Sequence, residues 1–333
     1  MKYVAVNRDT RSFQLPLSDI QIQRLTQNAF GEMPLSWQLM TTGKFNTSYR
    51  IEFAHLPTCI LRVAPSSDVV LFRHEKLLLR RENLVQQQLN KISDKVPVNL
   101  YADFSQELIA RNYVFQNCLE GELWDAVKCD LTADQNDHLW RSLAPIVRAI
   151  HQLEGESFGS PLLKGNYQCW SDAVIDWVAG MVTDMQRYRL NSTDAQRFLE
   201  LVILGRGLLD DVKRPTLVHG DLWQKNILIT RHHGEVQISG ILDAERAFWG
   251  EPLAEWIFSF LEIPPGFWGI YGALPKDHSA VFRKSVYEGR GALQLCLEAW
   301  RFNFDSGFAE KNLHQVIRKL ERQLGLKKLE PAA

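Results

Sequence analysis

The sequence predicts an α+β protein in which a small, strand-rich first half precedes a larger, mostly helical second half. In the first half, apolar and β-branched or aromatic residues alternate in short runs that Gly- or Pro-containing breaks separate. In the second half, apolar residues recur at helical spacing over runs of about twenty residues. One pair of short strands interrupts these helices. The polar residues Asp221, Asn226 and Asp243 lie at or beside the ends of these strands.

The composition limits the classes of partner. The chain has 333 residues, enough for two lobes with their own cores. Because 38 Lys and Arg balance 39 Asp and Glu, we expect neither nucleic acid nor a membrane as a partner. No apolar run approaches the roughly 18 residues of a membrane span, and the N-terminus is not expected to be a signal peptide. Five scattered cysteines without a CxxC pair predict reduced thiols and a cytoplasmic location.

Five strands and one helix are predicted in the first half. The strands lie within residues 36–54 (two strands), 58–65, 96–104 and 107–117, and the helix covers about 71–89. In the second half, helices are predicted over about 133–153, 169–188 and 193–212. A hairpin follows, with its turn at 231–234. The predicted domains are therefore an N-terminal lobe, residues 1–117, and a C-terminal lobe, residues 118–333.

The stretch LVHGDLWQKNILIT, residues 217–230, places Asp221 and Asn226 between two apolar runs. Asp243 ends the second strand of the predicted hairpin, and Asn226 begins the first. Because antiparallel strands joined by a short turn place their outer ends side by side, Asn226 and Asp243 should be neighbours. A carboxylate and an amide oxygen suit a magnesium ion that keeps water and phosphate oxygens. Asp221 is then available to accept a proton from a hydroxyl group.

These motifs resemble those of the aminoglycoside phosphotransferase family, which is related to choline kinases and fructosamine kinases. The resemblance rests on His219-Gly220-Asp221, Asn226 and Ile241-Leu242-Asp243, and it covers about residues 36–260. It implies a bilobal, protein-kinase-like fold with a small antiparallel-sheet N-lobe, and ATP and Mg²⁺ as cofactors. It also implies that Asp221 is catalytic and that Asn226 and Asp243 bind the metal, with a small-molecule hydroxyl as acceptor.

The resemblance extends to the first lobe. GKFNTSYRI is similar to the family's first hairpin, so Gly43, Asn46 and Ser48 are expected near the nucleotide phosphates, with backbone amides of residues 44–48 as donors. Arg62 occupies the third-strand position where the family usually has lysine. The following helix should supply its ion-pair partner. Glu75 and Glu82 both qualify by spacing, and the surrounding RRENLVQQQL favours Glu82.

Two further segments are similar to the family's pattern. In YVFQNCLEGELW, the family's linker between lobes, backbone groups from Gln116 to Cys118 are expected to bind the adenine edge. In AFWGEPLAEW, Glu251 and Glu255 stand where aspartate is more usual. Both are expected to be structural, forming hydrogen bonds that hold the catalytic loop.

Other functions remain open. Arginine in place of lysine at position 62 would also fit a nucleotide-binding pseudokinase. A protein kinase is less favoured, because Gly250-Glu251-Pro252 follows Asp243 too soon for a long activation segment. A histidine metal site formed by the three histidines near the hairpin, His219, His232 and His233, is disfavoured, because adjacent residues of a strand point to opposite faces. The acceptor, the choice between monomer and homodimer, and the role of residues 223–225 are not determined.

Overall fold

The computed structural model describes residues 14–41, 43, 45–162 and 167–326. The signal-peptide expectation rests on residues 1–17, and of these, residues 1–13 lie outside the described ranges. Thr42 and Lys44, the first of the expected backbone donors to phosphate, also lie outside them.

The described residues contain the predicted strands and helices, together with elements that the sequence did not predict, among them α1 before the first strand. The helices are α1 (Asp19–Phe30), α2 (Leu78–Leu89), α3 (Trp124–Val127), α4 (Ala133–Ile150), α5 (Trp170–Arg187), α6 (Thr193–Leu204), α7 (Arg206–Leu209), α8 (Ile257–Phe260), α9 (Pro265–Tyr271), α10 (His278–Phe302) and α11 (Gly307–Gln323). The strands are β1 (Ser36–Met40), β2 (Thr47–Glu52), β3 (Cys59–Val63), β4 (Asn99–Asp103), β5 (Tyr113–Asn117), β6 (Glu122–Leu123), β7 (Thr216–Val218), β8 (Ile227–His232), β9 (Glu235–Ile241) and β10 (Phe248–Gly250).

The chain divides into two compact units, and it passes between them several times. The first unit contains Met1–Leu71, Leu77–Asp130 and Gln224–Arg246. The second contains Phe72–Lys76, Leu131–Trp223 and Ala247–Ala333. The division into lobes at residues 117 and 118 stays a prediction.

An antiparallel sheet of five strands, in the order β1-β2-β3-β5-β4, forms the centre of the first unit. Helix α1 begins with a capping box, in which the Ser18 hydroxyl accepts a hydrogen bond from Gln21 N. It buries Ile22 and Leu25 against alternate residues of β2, β3 and β5. The sheet places Arg62 on the central strand, opposite Ser48 of β2.

The helix predicted from residue 71 begins only at Leu78. Leu77, with a φ of 57°, separates α2 from a turn of 3-10 helix at Arg73–Glu75. Within the second unit, Glu75 is buried and forms an ion pair of 2.7 Å with Arg301. Because that pairing holds residues 72–76 in the second unit, the helical pattern there does not continue into α2. The two glutamates that were equivalent by spacing therefore belong to different units.

Strands β6, β8 and β9 form a second, three-stranded sheet in the first unit. His233 (φ 51°) and Gly234 (φ 85°) join β8 to β9. Two consecutive residues with positive φ are typical of the tight turns that match the twist of a hairpin. The predicted turn is thus confirmed.

Helices dominate the second unit. Helices α5, α6, α10 and α11 surround a common apolar core that includes Trp170, Phe198 and Phe282. Strands β7 and β10 pair in antiparallel fashion, with Val218 opposite Phe248. None of the helices in the described ranges is long and apolar enough to cross a membrane.

Candidate active site

The loop after β7 contains the proposed catalytic aspartate. Strand β7 ends at Val218, and residues 219–223 follow in the second unit. The chain then enters the first unit at Gln224, where a 3-10 turn, Gln224–Asn226, leads into β8. Asp221, which is half-buried, therefore belongs to the second unit, and Asn226 belongs to the first.

Glu255 fixes the backbone that precedes Asp221. Its two carboxylate oxygens accept hydrogen bonds from His219 N at 2.9 Å and Gly220 N at 3.0 Å. Gly220 has a φ of 79°, a conformation that glycine adopts without the steric cost of a side chain. The carboxyl of Glu255 has no exposed surface, so these bonds do not compete with water. The expected structural role of Glu255 is confirmed.

His151 completes this anchor. Its Nε2 atom lies 3.3 Å from Oε2 of Glu255, and its Nδ1 atom lies 2.8 Å from the hydroxyl of Tyr271. Burial alone would raise the pKa of Glu255, but hydrogen bonds from His151 and from the backbone of His219 lower it below its ordinary value. Glu255 is thus held as a carboxylate, which is the better acceptor for two backbone amides.

Glu251 has a different structural partner. It accepts a hydrogen bond from Arg283 Nε at 2.7 Å and another from the hydroxyl of Tyr287, both on α10. Burial raises the pKa of the Glu251 carboxyl. Glu251 therefore connects the segment after β10 to α10 by hydrogen bonds, whereas Glu255 fixes the loop that contains Asp221.

Asn226 and Asp243 are neighbours, as the hairpin predicted. Ile227 pairs with Ile241, and Leu242 N donates a hydrogen bond of 2.8 Å to Asn226 O. Asp243 has a φ of 61°, which is unusual for a residue with a side chain and costs about 1–3 kcal/mol. Its side chain is 41% exposed, whereas Asn226 is buried. Of the two residues, Asp243 has the strained backbone, and its carboxylate is the group that solvent or a ligand can reach.

The donor set at this end of the hairpin fits the magnesium ion that the family resemblance implies. One carboxylate and one amide oxygen are hard donors, and magnesium commonly takes few protein ligands beside water and phosphate. Among residues 14–41, 43, 45–162 and 167–326, no group of three or more His, Cys, Asp or Glu is placed to hold a metal.

Arg62 lies at the centre of a cluster of carboxylates in the first unit. Its Nη1 atom is 2.5 Å from Glu82 Oε1, and its Nη2 atom is 2.8 Å from Asp243 Oδ1. Nη2 also lies 3.3 Å from Oε2 of Glu245, which follows Asp243 by two residues. The structure thus pairs Arg62 with Glu82, the glutamate chosen from the sequence.

Burial makes the electrostatics of this cluster strong. It raises the pKa of Glu82, which is 1% exposed, and Arg62 opposes that rise. Burial would lower the pKa of Arg62, but the carboxylates of Glu82, Asp243 and Glu245 together raise it. Arg81, which is half-buried, donates a hydrogen bond of 3.4 Å to the backbone oxygen of Glu245, and desolvation lowers its pKa to about 10. The cluster therefore contains more acidic than basic groups.

The first hairpin reaches this cluster through Asn46. The Nδ2 atom of Asn46 donates a hydrogen bond of 2.7 Å to Oε2 of Glu245. The side chain of Gln14 donates to the backbone oxygens of Gly43 and Asn46, each at 2.7 Å. Ser48 lies on β2. Asn46 is 4% exposed, so its side chain supports the cluster from within.

Gln116 and Cys118 lie at the end of β5. The Gln116 side chain is buried and donates hydrogen bonds of 3.0 Å to Gln86 and Asn99. Cys118 follows the strand and is half-buried. The contact between backbone groups of residues 116–118 and adenine stays a prediction.

Three aromatic side chains form a row in the second unit, beginning two residues after Asp221. The ring centroids of Trp223 and Trp256 are 5.2 Å apart, and those of Trp256 and Phe260 are 5.1 Å apart with nearly parallel planes. All three are half-buried. We call them the aromatic row; their solvent-facing parts offer an apolar surface beside the loop.

Sequence reasoning missed Glu245 and Gln14. Glu245 lies in a 3-10 turn, Ala244–Arg246, where no strand or helix period applies. The one signal for it was a second acidic residue two positions after Asp243. Gln14 lies before α1 and carried no signal, because its partners are backbone oxygens.

A comparison with models of known protein families identifies a family that the chain matches. The sequence model described as the phosphotransferase enzyme family matches residues 38–271 of the chain. No curated protein matches the chain in sequence.

Solved structures share the fold. The aminoglycoside phosphotransferase APH(4)-Ia has a TM-score of 0.62 and 17% identity, over 90% of this chain and 99% of that chain. A putative aminoglycoside phosphotransferase from Ralstonia eutropha JMP134 has a TM-score of 0.62 and 12% identity, over 93% and 98% of the two chains. APH(2")-IIia, in its complex with GDP and kanamycin, has a TM-score of 0.59 and 15% identity, over 92% and 98%. The predicted kinase-like fold, with an antiparallel N-terminal sheet and a helical C-terminal part, is confirmed.

Proposed function

Because the chain belongs to the phosphotransferase enzyme family, we propose that it transfers the γ-phosphoryl group of ATP to a hydroxyl group of a small molecule. The observation that carries the proposal is the β8–β9 hairpin. Its outer ends bring Asn226 and Asp243 side by side. A sparse pair of oxygen donors is suited to a metal ion that also binds phosphate.

Three residues have the central roles in this proposal. Asp221 orients the acceptor hydroxyl and takes its proton while the new O–P bond forms. The bond from the γ-phosphorus to its bridging oxygen breaks, and ADP leaves. Asn226 and Asp243 hold Mg²⁺, which when bound neutralises charge on the phosphates. General-base assistance of this kind contributes about 10²–10⁴-fold to the rate.

The remaining site residues bind the nucleotide. Arg62, held by Glu82, contacts the phosphates, and arginine can do so with two nitrogen atoms. Gly43, Asn46 and Ser48 belong to the hairpin that covers them. Backbone groups from Gln116 to Cys118 bind the adenine edge.

The proposed acceptor is an aminoglycoside-like antibiotic, an amino sugar or an amino alcohol. The similar structure of APH(2")-IIia with GDP and kanamycin supports this class. The aromatic row is the proposed contact surface, because it starts two residues from Asp221 and its faces suit apolar rings or a bound ammonium group. We place the reaction in the cytoplasm, in a monomer or homodimer, and the five free cysteines support that location.

A screen of ATP consumption tests the function. Purified protein is incubated with ATP, Mg²⁺ and a panel of hydroxyl-bearing antibiotics, amino sugars and amino alcohols, with the Asp221→Ala variant as the blank. We expect at least one acceptor to raise ADP production in the wild type alone. Equal turnover of an accepted substrate by Asp221→Ala would exclude the proposed mechanism.

A nucleotide-binding pseudokinase is the second candidate. The ion pair between Arg62 and Asp243 favours it, because a guanidinium bound to Asp243 opposes metal binding there. The ion pair between Arg62 and Glu82, which the family resemblance led us to expect, supports a catalytic function instead. Nucleotide binding without turnover of any acceptor in the screen would favour the pseudokinase.

A further inference from the structure

Arg62 and a bound metal ion would compete for Asp243. The Nη2 atom of Arg62 lies 2.8 Å from Oδ1 of Asp243, which is also the proposed metal ligand. Two cations cannot share one carboxylate at close range without repulsion. A metal at Asp243 would therefore favour the movement of Nη2 to another acceptor within the protein, because Arg62 is only 8% exposed and cannot turn to bulk water.

Glu245 already provides that acceptor. Its Oε2 atom lies 3.3 Å from Nη2 of Arg62, only 0.5 Å farther than Oδ1 of Asp243 at 2.8 Å. Glu245 is 8% exposed, and it is fixed by Asn46 Nδ2 at 2.7 Å and by Arg81 at its backbone oxygen. A small rotation of the guanidinium about its bond to Glu82 thus exchanges one carboxylate for the other.

This arrangement gives a physical reason for arginine at position 62. The fork of a guanidinium can hold Glu82 with Nη1 and a second carboxylate with Nη2. Lysine has one ammonium group on a flexible stem and does not offer two fixed, separated donors. The carboxylates of Glu82 and Glu245 are therefore spaced to accept from the two terminal nitrogens of one guanidinium group.

We infer that Glu245 is a positioning residue that draws Arg62 away from Asp243 when the metal–nucleotide complex binds. The inference rests on the proposed function and deepens it, because it assigns a role to a carboxylate that is not itself a proposed metal ligand. Asn46, in the first hairpin, supports this positioning role, because its side-chain amide donates a hydrogen bond to the Glu245 carboxylate.

The test measures metal binding directly. Mn²⁺ replaces Mg²⁺, and electron paramagnetic resonance gives its dissociation constant in the presence of the non-hydrolysable analogue AMP-PNP. Glu245→Gln removes the second carboxylate that lies within reach of Arg62 Nη2, so we expect the Mn²⁺ dissociation constant to rise about tenfold. In an Arg62→Lys background, the same substitution should change it less than twofold, because the second donor is missing.

Glu75→Gln is the matched control. Glu75 is also a buried glutamate paired with an arginine, Arg301, but it lies in the second unit. We expect it to lower the Tm and to leave the Mn²⁺ dissociation constant within twofold of wild type. An unchanged or lowered constant in Glu245→Gln would overturn the inference alone. Failure of the wild-type protein to bind AMP-PNP with Mn²⁺ would overturn both the proposed function and the inference.

Discussion

The side chains of His151 and Glu255 meet in the interior of the second unit, with 3.3 Å between Nε2 and Oε2. The same carboxylate holds the backbone amides of His219 and Gly220, immediately before Asp221. One buried anion therefore connects the end of α4 to the loop that carries the proposed base. We therefore expect the position of that loop to depend on this anion and its donors.

We expect Glu255→Gln to lower kcat by about 10²-fold, since a shift of roughly 1 Å at a catalytic group has that effect. The amide has one acceptor oxygen, so one of the two loop amides loses its partner. The KM for ATP should stay within about twofold of wild type, because the substitution leaves the first unit unchanged. Steady-state kinetics with the acceptor found in the screen measures both constants, and an unchanged kcat would contradict the anchoring role.

The two structural glutamates should respond to pH in opposite directions. The pKa of Glu255 is lowered, so its contribution to stability is present above its ordinary value of 4.5 and is lost as pH falls through the folded-state pKa. Burial raises the pKa of Glu251, so the folded state loses stability as pH rises from 4.5 through the folded-state pKa. From about pH 3 to 6, we expect the difference in Tm between wild type and Glu255→Gln to grow, and that for Glu251→Gln to shrink. Thermal unfolding across this range measures both, and parallel curves would refute the assignment.

Arg62→Lys should lower kcat/KM for ATP by about tenfold, which corresponds to about 1.4 kcal/mol of transition-state stabilisation. Lysine retains the charge but cannot hold Glu82 and Glu245 together. Arg50→Lys is the control, because Arg50 lies on the neighbouring strand and is exposed, with Glu52 as its partner at 2.8 Å. We expect that control to match wild type. A wild-type value of kcat/KM for ATP in Arg62→Lys would show that the two separated donors of the guanidinium group are not needed.

Local patterns were sufficient to predict much of the fold. Alternation predicted the five strands of the first sheet, and the turn at His233 and Gly234 predicted the hairpin. The hairpin alone predicted that Asn226 and Asp243 are neighbours, because strand pairing fixes which ends meet.

Contacts between distant segments could not be predicted in the same way. The early helical pattern from residue 71 is broken because Glu75 pairs with Arg301, 226 residues away. Glu245 meets Asn46 across 199 residues, and neither end carries a periodic signal. Such polar pairs depend on the complete fold, whereas the strands and helices depend on nearby residues.

Asp243→Ala should remove metal-dependent nucleotide binding. The substitution deletes the one carboxylate of the proposed ligand pair, and alanine remains strained at this positive φ. We expect the affinity for AMP-PNP measured by calorimetry to fall at least about tenfold with Mg²⁺ and little without it. An affinity that keeps its full dependence on Mg²⁺ would remove Asp243 from the metal site.

Gly291→Ala should disturb the aromatic row through Phe260. A Cβ atom at Gly291 of α10 would lie 2.4 Å from Cζ of Phe260, so this ring must move and Trp256 with it. We expect the acceptor KM to rise about tenfold while the KM for ATP stays constant, because the row lies beside Asp221 in the second unit. Gly269→Ala is the control, since nothing lies within 4 Å of its Cβ position. Steady-state kinetics of both variants measures these constants, and an acceptor KM unchanged in Gly291→Ala would place the acceptor away from the row.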